Sequence, residues 1–205
     1  MKKLLTHLLT YSLFLSSAAH AAIDKNLVAD AEKYLNSITG LSGGFTQISN
    51  GKTAKGEFFM LRPGRVRLDY KKLPVQMAAD GKDLYFYDKS LDQITTVPMN
   101  STPAGILVRK NIKLTDGDIT VMETKEQGDK FSVKMQLKGN EGLGSMNVRF
   151  AKSPVKLDSW SVIDATGMET EVKFENLKPK NDFTKNFFQI QRFKTSGTSG
   201  DDFYQ

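Results

Sequence analysis

Alternation of apolar and polar residues between positions 43 and 177 most constrains what this chain can fold into. In one run, Phe131, Val133, Met135 and Leu137 share one side while polar residues occupy the other. Such period-two alternation is typical of strands in a sheet with one solvated face. Eleven candidate strands follow this pattern, at residues 43–49, 55–61, 65–70, 74–79, 83–88, 92–97, 118–125, 130–137, 145–150, 156–164 and 169–177.

Short turn sequences separate these runs. Asn50-Gly51, Pro63-Gly64 and Asp80-Gly81 permit positive φ or preset a bend. Links this short join antiparallel neighbours, because a parallel return needs a dozen residues or more. We therefore predict one long meander, and a sheet this large with one apolar face is expected to curve into a barrel or half-barrel.

Two segments interrupt the strand pattern. Residues 26–38 have the spacing of an amphipathic helix. Its apolar positions are Leu27, Ala31, Tyr34, Leu35 and Ile38. A second, short helix is predicted after the sixth strand, where Ser101-Thr102-Pro103 supplies a capping residue and a first-turn proline before Ile106-Leu107-Val108. A helix inserted there is expected to cover the mouth of the curved sheet.

Residues 1–21 have the pattern of a secretory signal. Lys2 and Lys3 precede an apolar run, and small residues end at Ala21, after which we expect cleavage. Polar residues interrupt the run, which disfavours a membrane span. The predicted organisation is a signal peptide (1–21), one domain (22–195) and a flexible tail (196–205).

Composition excludes several classes of protein. The chain has no Cys, and its 2 His, His7 and His20, lie in the predicted signal. Disulfides, thiolate or histidine zinc sites, Ser-His-Asp triads and Cys-His pairs are therefore excluded from the mature chain. Loss of Lys2 and Lys3 lowers the net charge from +6 to +4, which says little about partners. We predict no cofactor, no metal and no enzymatic activity.

The segment 56–70 has the most informative pattern. By strand parity, Arg62 ends an apolar stripe formed with Phe58 and Met60. An arginine there is either a rim residue whose stem packs on apolar neighbours or a functional group. The basic residues near the opposite face are Arg65, Arg67, Lys71 and Lys72. They are expected to form a solvated face or to meet an acidic partner, and no nucleic acid is expected.

Seven methionines are spread over the candidate strands. They are Met60, Met77, Met99, Met122, Met135, Met146 and Met168. Methionine fills cores and also lines surfaces that accept variable apolar shapes. Their distribution slightly favours an apolar cavity.

Several motifs, taken in order, carry a resemblance to a known family. They are Phe45-Thr46-Gln47, the stretch 56–63 ending in Arg62-Pro63, Asp80-Gly81-Lys82 with residues 84–87, Asp92-Gln93, and Thr102-Pro103. In this order and spacing they resemble the periplasmic outer-membrane lipoprotein carrier family LolA, over about residues 27–190. The chain departs from the family in having Gly64 and Arg65 where bulky apolar residues are common.

The resemblance implies a mainly β fold. This is an unclosed antiparallel β-barrel of about eleven strands, with an N-terminal helix and a short inserted helix covering an apolar cavity. Arg62 and Pro63 are implied to lock the lid, Arg62 through hydrogen bonds to the lid helices. The expected cavity residues are Phe58, Met60, Val66, Leu68, Tyr70, Met77, Phe131, Val133, Met135, Met146, Val148, Trp160, Val172 and Phe174. The expected lid residues are Leu27, Ala31, Tyr34, Leu35, Ile106 and Leu107.

The resemblance also implies a function and partners. The protein would be a periplasmic monomer that takes lipoproteins from the inner membrane to the outer membrane while shielding their acyl chains. Its partners would be acylated lipoproteins, an inner-membrane ABC-type lipoprotein-releasing complex and, if present, an outer-membrane receptor.

Three alternatives stay open at the level of sequence. A carrier-like envelope sensor or another periplasmic lipid-binding protein could use the same sheet, although such a sensor usually has a second domain. A lipid-anchored receptor is disfavoured by the missing Cys. An enzyme using paired acids such as Glu169 and Glu171 is disfavoured because Lys173 lies beside them in a solvated ladder.

Overall fold

A computed structural model describes residues 22–190 of the chain. The predicted signal peptide (1–21) and flexible tail (196–205) lie outside the described residues, as does the end of the predicted domain. Among the described residues, no helix is long and apolar enough to cross a membrane.

The described chain forms one α-helix, eleven strands and three short 3₁₀ helices. The helix α1 spans Lys25–Ser37, and the strands are β1 (Gly40–Ser49), β2 (Lys52–Leu61), β3 (Arg65–Tyr70), β4 (Val75–Asp80), β5 (Asp83–Asp88), β6 (Gln93–Pro98), β7 (Ile119–Gln127), β8 (Lys130–Leu137), β9 (Gly144–Lys152), β10 (Val155–Asp164) and β11 (Glu169–Pro179). The 3₁₀ helices are Met99–Ser101, Pro103–Val108 and Glu141–Leu143. The mainly β class and the eleven strands predicted from the sequence are confirmed.

The strands form one antiparallel sheet in the order β6-β5-β4-β3-β2-β1-β11-β10-β9-β8-β7. The prediction of one continuous meander is wrong, because two meanders, β1–β6 and β7–β11, are joined where β1 pairs with β11. β6 and β7 are consecutive along the chain, yet they lie at opposite edges of the sheet. The barrel is therefore unclosed, as expected.

The inner faces of β8 and β9 form part of the buried core. Phe131 and Val133 of β8 and Phe150 of β9 are fully or almost fully buried, and the Phe131 and Phe150 rings stack at 5.0 Å. Alternation in β8 places Met135 and Leu137 on the same buried face, as predicted.

Helix α1 covers this half of the sheet. Asp24 caps the helix, and its Oδ1 accepts a hydrogen bond from the backbone N–H of Asn26 at 2.8 Å. Val28, Ala31 and Leu35 are the buried positions of the helix. Leu27 and Tyr34, expected as lid residues, are only partly buried against the core.

The chain after β11 covers part of the outer face. Phe183 and Phe187 pack against Phe59 of β2 at ring distances of 6.3 and 4.9 Å. Arg67 donates to the carbonyl of Phe187 at 2.8 Å and stacks on its ring. Because Arg65 stacks likewise on Phe188, these two members of the predicted basic strip are not a solvated face.

Candidate functional site

The 3₁₀ helix Pro103–Val108, called the lid helix below, lies on the inner face of the sheet. The side chain of Thr102 accepts a hydrogen bond from the backbone N–H of Gly105 at 3.3 Å and caps the helix. Ile106, Leu107 and Val108 are buried. The predicted capping residue, proline and apolar stretch therefore occupy the expected places.

A backbone hydrogen bond from the β2–β3 turn, called the rim below, fixes the end of the lid helix. The N–H of Gly64 donates to the carbonyl of Val108 at 2.7 Å. Gly64 has a φ of +76°, and a Cβ added there would lie 2.4 Å from the Cα of Gly81. The backbone N–H of Gly64 thus links the β2–β3 turn directly to the lid helix.

The segment after the lid helix is bound to α1. The side-chain amide of Asn36 donates to the carbonyl of Ile112 at 2.8 Å and accepts from its N–H at 2.9 Å. Arg109 donates two hydrogen bonds to Asp118, at 2.6 and 2.9 Å. These hydrogen bonds lower the pKa of the Asp118 carboxyl. Helix α1, the lid helix and the rim are therefore connected by a small number of polar contacts.

Arg62 lies buried at the end of the apolar stripe, as its strand parity predicts. Only 8% of its surface is exposed. Within residues 22–190, its Nε and Nη1 have no hydrogen-bond partner, so these two donors do not make the implied bonds to the lid helices. Burial lowers the pKa of the guanidinium to about 10. Arg62 is thus a buried charge with unsatisfied donors.

An apolar cavity of about 380 Å³ lies between the lid helix and the inner face of the sheet. Six of the residues named from the sequence line it: Val66, Leu68, Met77, Trp160, Val172 and, from the lid, Leu107. The other lining residues are Gln47, Ser49, Leu84, Phe86, Met99, Thr102, Ala104, Val108, Val162 and Thr170. None of these described lining residues is charged.

The remaining expected cavity residues do not line this cavity. They are Phe58, Met60, Tyr70, Phe131, Val133, Met135, Met146, Val148 and Phe174. The members from β8 and β9 are in the core against α1, because that helix covers their half of the sheet. Phe58 and Phe174 pack on Trp160 at ring distances of 5.5 and 4.8 Å. Phe58 and Phe174 therefore lie behind Trp160 and do not themselves line the cavity.

Strand β5 contributes two lining residues that the sequence analysis missed. Leu84 and Phe86 alternate with Tyr85 and Tyr87, and Phe86 lies opposite Met77 of β4. The same alternation used elsewhere could have assigned them to the inner face. Phe86 remains 41% exposed, so the cavity opens beside β5.

The methionines divide between cavity, core and surface. Met77 and Met99 line the cavity, whereas Met135 and Met146 are fully buried in the core. Met168 is exposed. Fewer methionines therefore line the cavity than their distribution in the sequence suggests.

One partly buried polar pair borders the cavity. The hydroxyl of Tyr70 donates to Oε1 of the lining residue Gln47 at 2.7 Å. Burial raises the pKa of Tyr70 to about 12, although the hydrogen bond opposes this shift. Among the described residues, no cluster of three or more His, Cys, Asp or Glu could hold a metal.

Tyr70 is expected to ionise later than an ordinary tyrosine. In an absorbance titration at the wavelength of tyrosinate, we expect one phenol to titrate near pH 12, and Tyr70→Phe to remove only this late component. Because the folded-state pKa lies above the ordinary value of 10.0, its contribution to stability is complete below about pH 10 and is lost as the pH rises through 12. Loss of the component near pH 10 in Tyr70→Phe would contradict this assignment.

Comparisons with known proteins give a consistent result. The family model described as outer membrane lipoprotein carrier protein LolA matches residues 36–191. An outer-membrane lipoprotein carrier protein of Actinobacillus succinogenes is 29% identical over 201 residues, covering 93% of this chain and 92% of the relative. The corresponding protein of Leptothrix cholodnii is 32% identical over 133 residues, or 62% of this chain. This chain spans only 60% of the length of that relative.

Comparison with solved structures gives matches at low sequence identity. A LolA superfamily protein of Nitrosomonas europaea is 8% identical, with a TM-score of 0.44. The match covers 79% of this chain and 97% of the other.

Proposed function

Because this chain belongs to the LolA family of outer membrane lipoprotein carrier proteins, we propose that it shields the acyl chains of lipoproteins during their passage from the inner to the outer membrane. The place of action would be the periplasm. Its partners would be acylated lipoproteins, an inner-membrane ABC-type lipoprotein-releasing complex and an outer-membrane receptor where one exists. The protein would act as a monomer and without enzymatic activity.

The observation that carries this proposal is the uncharged cavity of about 380 Å³ beneath the lid helix. Exposing an acyl chain of a dozen methylenes to water costs on the order of 10 kcal/mol, at ~0.8 kcal/mol per CH₂. A wall of Val, Leu, Met and aromatic side chains offsets that cost. The polar groups Gln47 and Thr170 at the wall could orient the ester or amide groups at the head of the lipid.

The cavity requires the lid to move. Its volume lies near the lower end of the range for ligand pockets, so cargo with more than one acyl chain needs the lid helix displaced. A closed, empty state would then exchange with an open, loaded state. The contacts at Gly64, Asn36 and Arg109 are few enough to break and re-form during transfer.

Arg62 and Pro63 are proposed to control this exchange. Pro63 precedes the Gly64 link to the lid helix, and Arg62 carries two buried donors that find no partner in the part of the chain that the structure describes. An unsatisfied buried charge destabilises the closed state relative to one that admits water or a polar acceptor. Arg62 would therefore favour opening of the lid. This is the opposite of the role that the resemblance implies, in which hydrogen bonds from Arg62 hold the lid closed.

Release of a triacylated lipoprotein from inner-membrane vesicles tests the proposed function. The vesicles contain the releasing complex, ATP is supplied, and the soluble complex of carrier and lipoprotein is quantified. We expect release to require both ATP and this protein. Binding of free lipid without any release would support another periplasmic lipid-binding role and contradict the carrier role.

Leu107→Glu is expected to weaken binding of an apolar fluorescent probe by about ten-fold or more, because it places a carboxylate in the wall of the cavity. Leu91→Glu is the matched control, since Leu91 is 64% exposed and lies outside the cavity. Its probe affinity should equal that of the wild type. Thermal unfolding of both variants separates a loss of binding from a loss of fold, and equal affinities for all three proteins would argue against a lipid-binding cavity here.

A further inference from the structure

The two edge strands of the sheet differ in how they are protected. Edge strands usually carry charges, bulges or prolines that prevent pairing with other chains. In β7 the register shifts between Val121 and Glu123, and charged residues continue to Glu126. β6 has the sequence QITTVP, which contains no charged residue and a proline only at its end. The edge at β6 is therefore suited to pairing with another strand.

The free hydrogen-bonding groups of β6 can be assigned from its register with β5. The N–H of Met99, directly after β6, donates to the carbonyl of Lys82 at 3.0 Å. Bonding positions alternate along an antiparallel pair, so Val97 and Thr95 also face β5. The backbone groups of Ile94 and Thr96 consequently point to the free edge, where no strand among residues 22–190 pairs with them.

This free edge lies beside the opening of the cavity. Thr95 is opposite the exposed lining residue Phe86, and Val97 is opposite the lining residue Leu84. Neighbouring strands are about 4.8 Å apart, so a strand added to β6 would run about 10 Å from β5. An extended peptide covers that distance with about three residues.

We propose that the edge of β6 pairs with the extended peptide segment that follows the acylated residue of the cargo lipoprotein. This inference rests on the proposed function. While the acyl chains occupy the cavity, about six residues of the peptide would form a strand against Gln93–Pro98. The preferred segment is uncharged and free of proline, since charged side chains would lie beside the uncharged β6 and Phe86, and proline would lose a ladder hydrogen bond. The cargo is then held by its peptide as well as by its lipid.

Two synthetic lipopeptides test this proposal. Both carry the same diacylated cysteine, followed in one by ten uncharged residues and in the other by two. We expect the long lipopeptide to bind wild-type protein about ten-fold more tightly, from a few added backbone hydrogen bonds. Hydrogen exchange at the amides of Ile94 and Thr96 should slow with the long lipopeptide and not with the short one.

Thr96→Pro removes one outward-facing N–H while leaving the bonds between β6 and β5 in place. We expect it to abolish the advantage of the long lipopeptide and to leave affinity for the short one unchanged. Thr96→Ala retains the N–H and should behave as the wild type. If Thr96→Pro does not fold, the exchange measurement on wild-type protein decides the question.

Equal affinities for the two lipopeptides, without protection of the two amides, would overturn the edge pairing and leave the carrier role intact. Binding of neither lipopeptide would overturn the carrier role, and the edge pairing with it. Protection that rises with protein concentration in the absence of lipopeptide would assign the edge to a second copy of this chain and so overturn the proposal.

Discussion

Gly64→Ala is expected to lower the free energy of unfolding by about 2–5 kcal/mol. Alanine is strained at a φ of +76°, and its Cβ would approach the Cα of Gly81 to 2.4 Å. The backbone of two turns would have to separate, which would also break the hydrogen bond from Gly64 to Val108 of the lid helix. Thermal unfolding should show a Tm lower by about 5–15 °C.

Gly51→Ala provides the matched control for this prediction. Gly51 also has a positive φ, of +70°, but a Cβ there meets no atom within 4 Å. Its loss should be limited to the conformational contribution of about 1–2 kcal/mol. Equal losses in the two variants would show that the approach of Gly64 to Gly81 contributes nothing.

Arg62→Met is expected to raise the free energy of unfolding by about 1–3 kcal/mol, which is unusual for a substitution in a core. Methionine has a similar length and no donors to leave unsatisfied at this site. The folded-state pKa of Arg62, about 10, lies below the ordinary 12.5, so burial of the charge destabilises the protein fully below pH 10. The destabilisation disappears only as the pH rises from 10 to 12.5. Chemical denaturation at neutral pH measures the change.

Arg67→Met is the matched control, with the opposite expected sign. The Nε of Arg67 is 2.8 Å from Oδ2 of Asp69, and its Nη1 bonds to the carbonyl of Phe187. Losing these contacts should lower stability by about 1–3 kcal/mol.

If Arg62 destabilises the closed lid, Arg62→Met should also slow uptake of an apolar probe. A loss of stability in Arg62→Met as large as that in Arg67→Met would contradict this account.

Local turn chemistry explains why some strands could be predicted to the residue. β3, β5 and β8 each begin shortly after a glycine with positive φ, namely Gly64, Gly81 and Gly128. Such turns fix where a strand can begin. The sequence predicts the start of β1 at residue 43, whereas the strand begins at Gly40. The glycine-rich start of this strand resembles a loop. Pairing with β2 and β11 on both sides keeps that segment extended.

The sequence predicts an apolar cavity but only some of the residues that line it. Val66, Leu68 and Met77, which the family resemblance names as cavity residues, line the cavity. Alternation alone cannot distinguish an inner face that borders empty space from one covered by a helix, because coverage depends on where α1 packs. Val133 is fully buried for that reason.

Pairing of β1 with β11 makes folding depend on contacts between segments that are far apart in the sequence. Thr46 of β1 and Glu175 of β11 are 129 positions apart, yet they share a hydrogen bond at the centre of the sheet. Contacts this distant in sequence form slowly, because a long loop must close before they contribute. Until β11 has joined β1, both β1 and β10 present unpaired edges. The protein can therefore complete its own core only after β11 is available, so a nascent chain that still lacks β11 stays open.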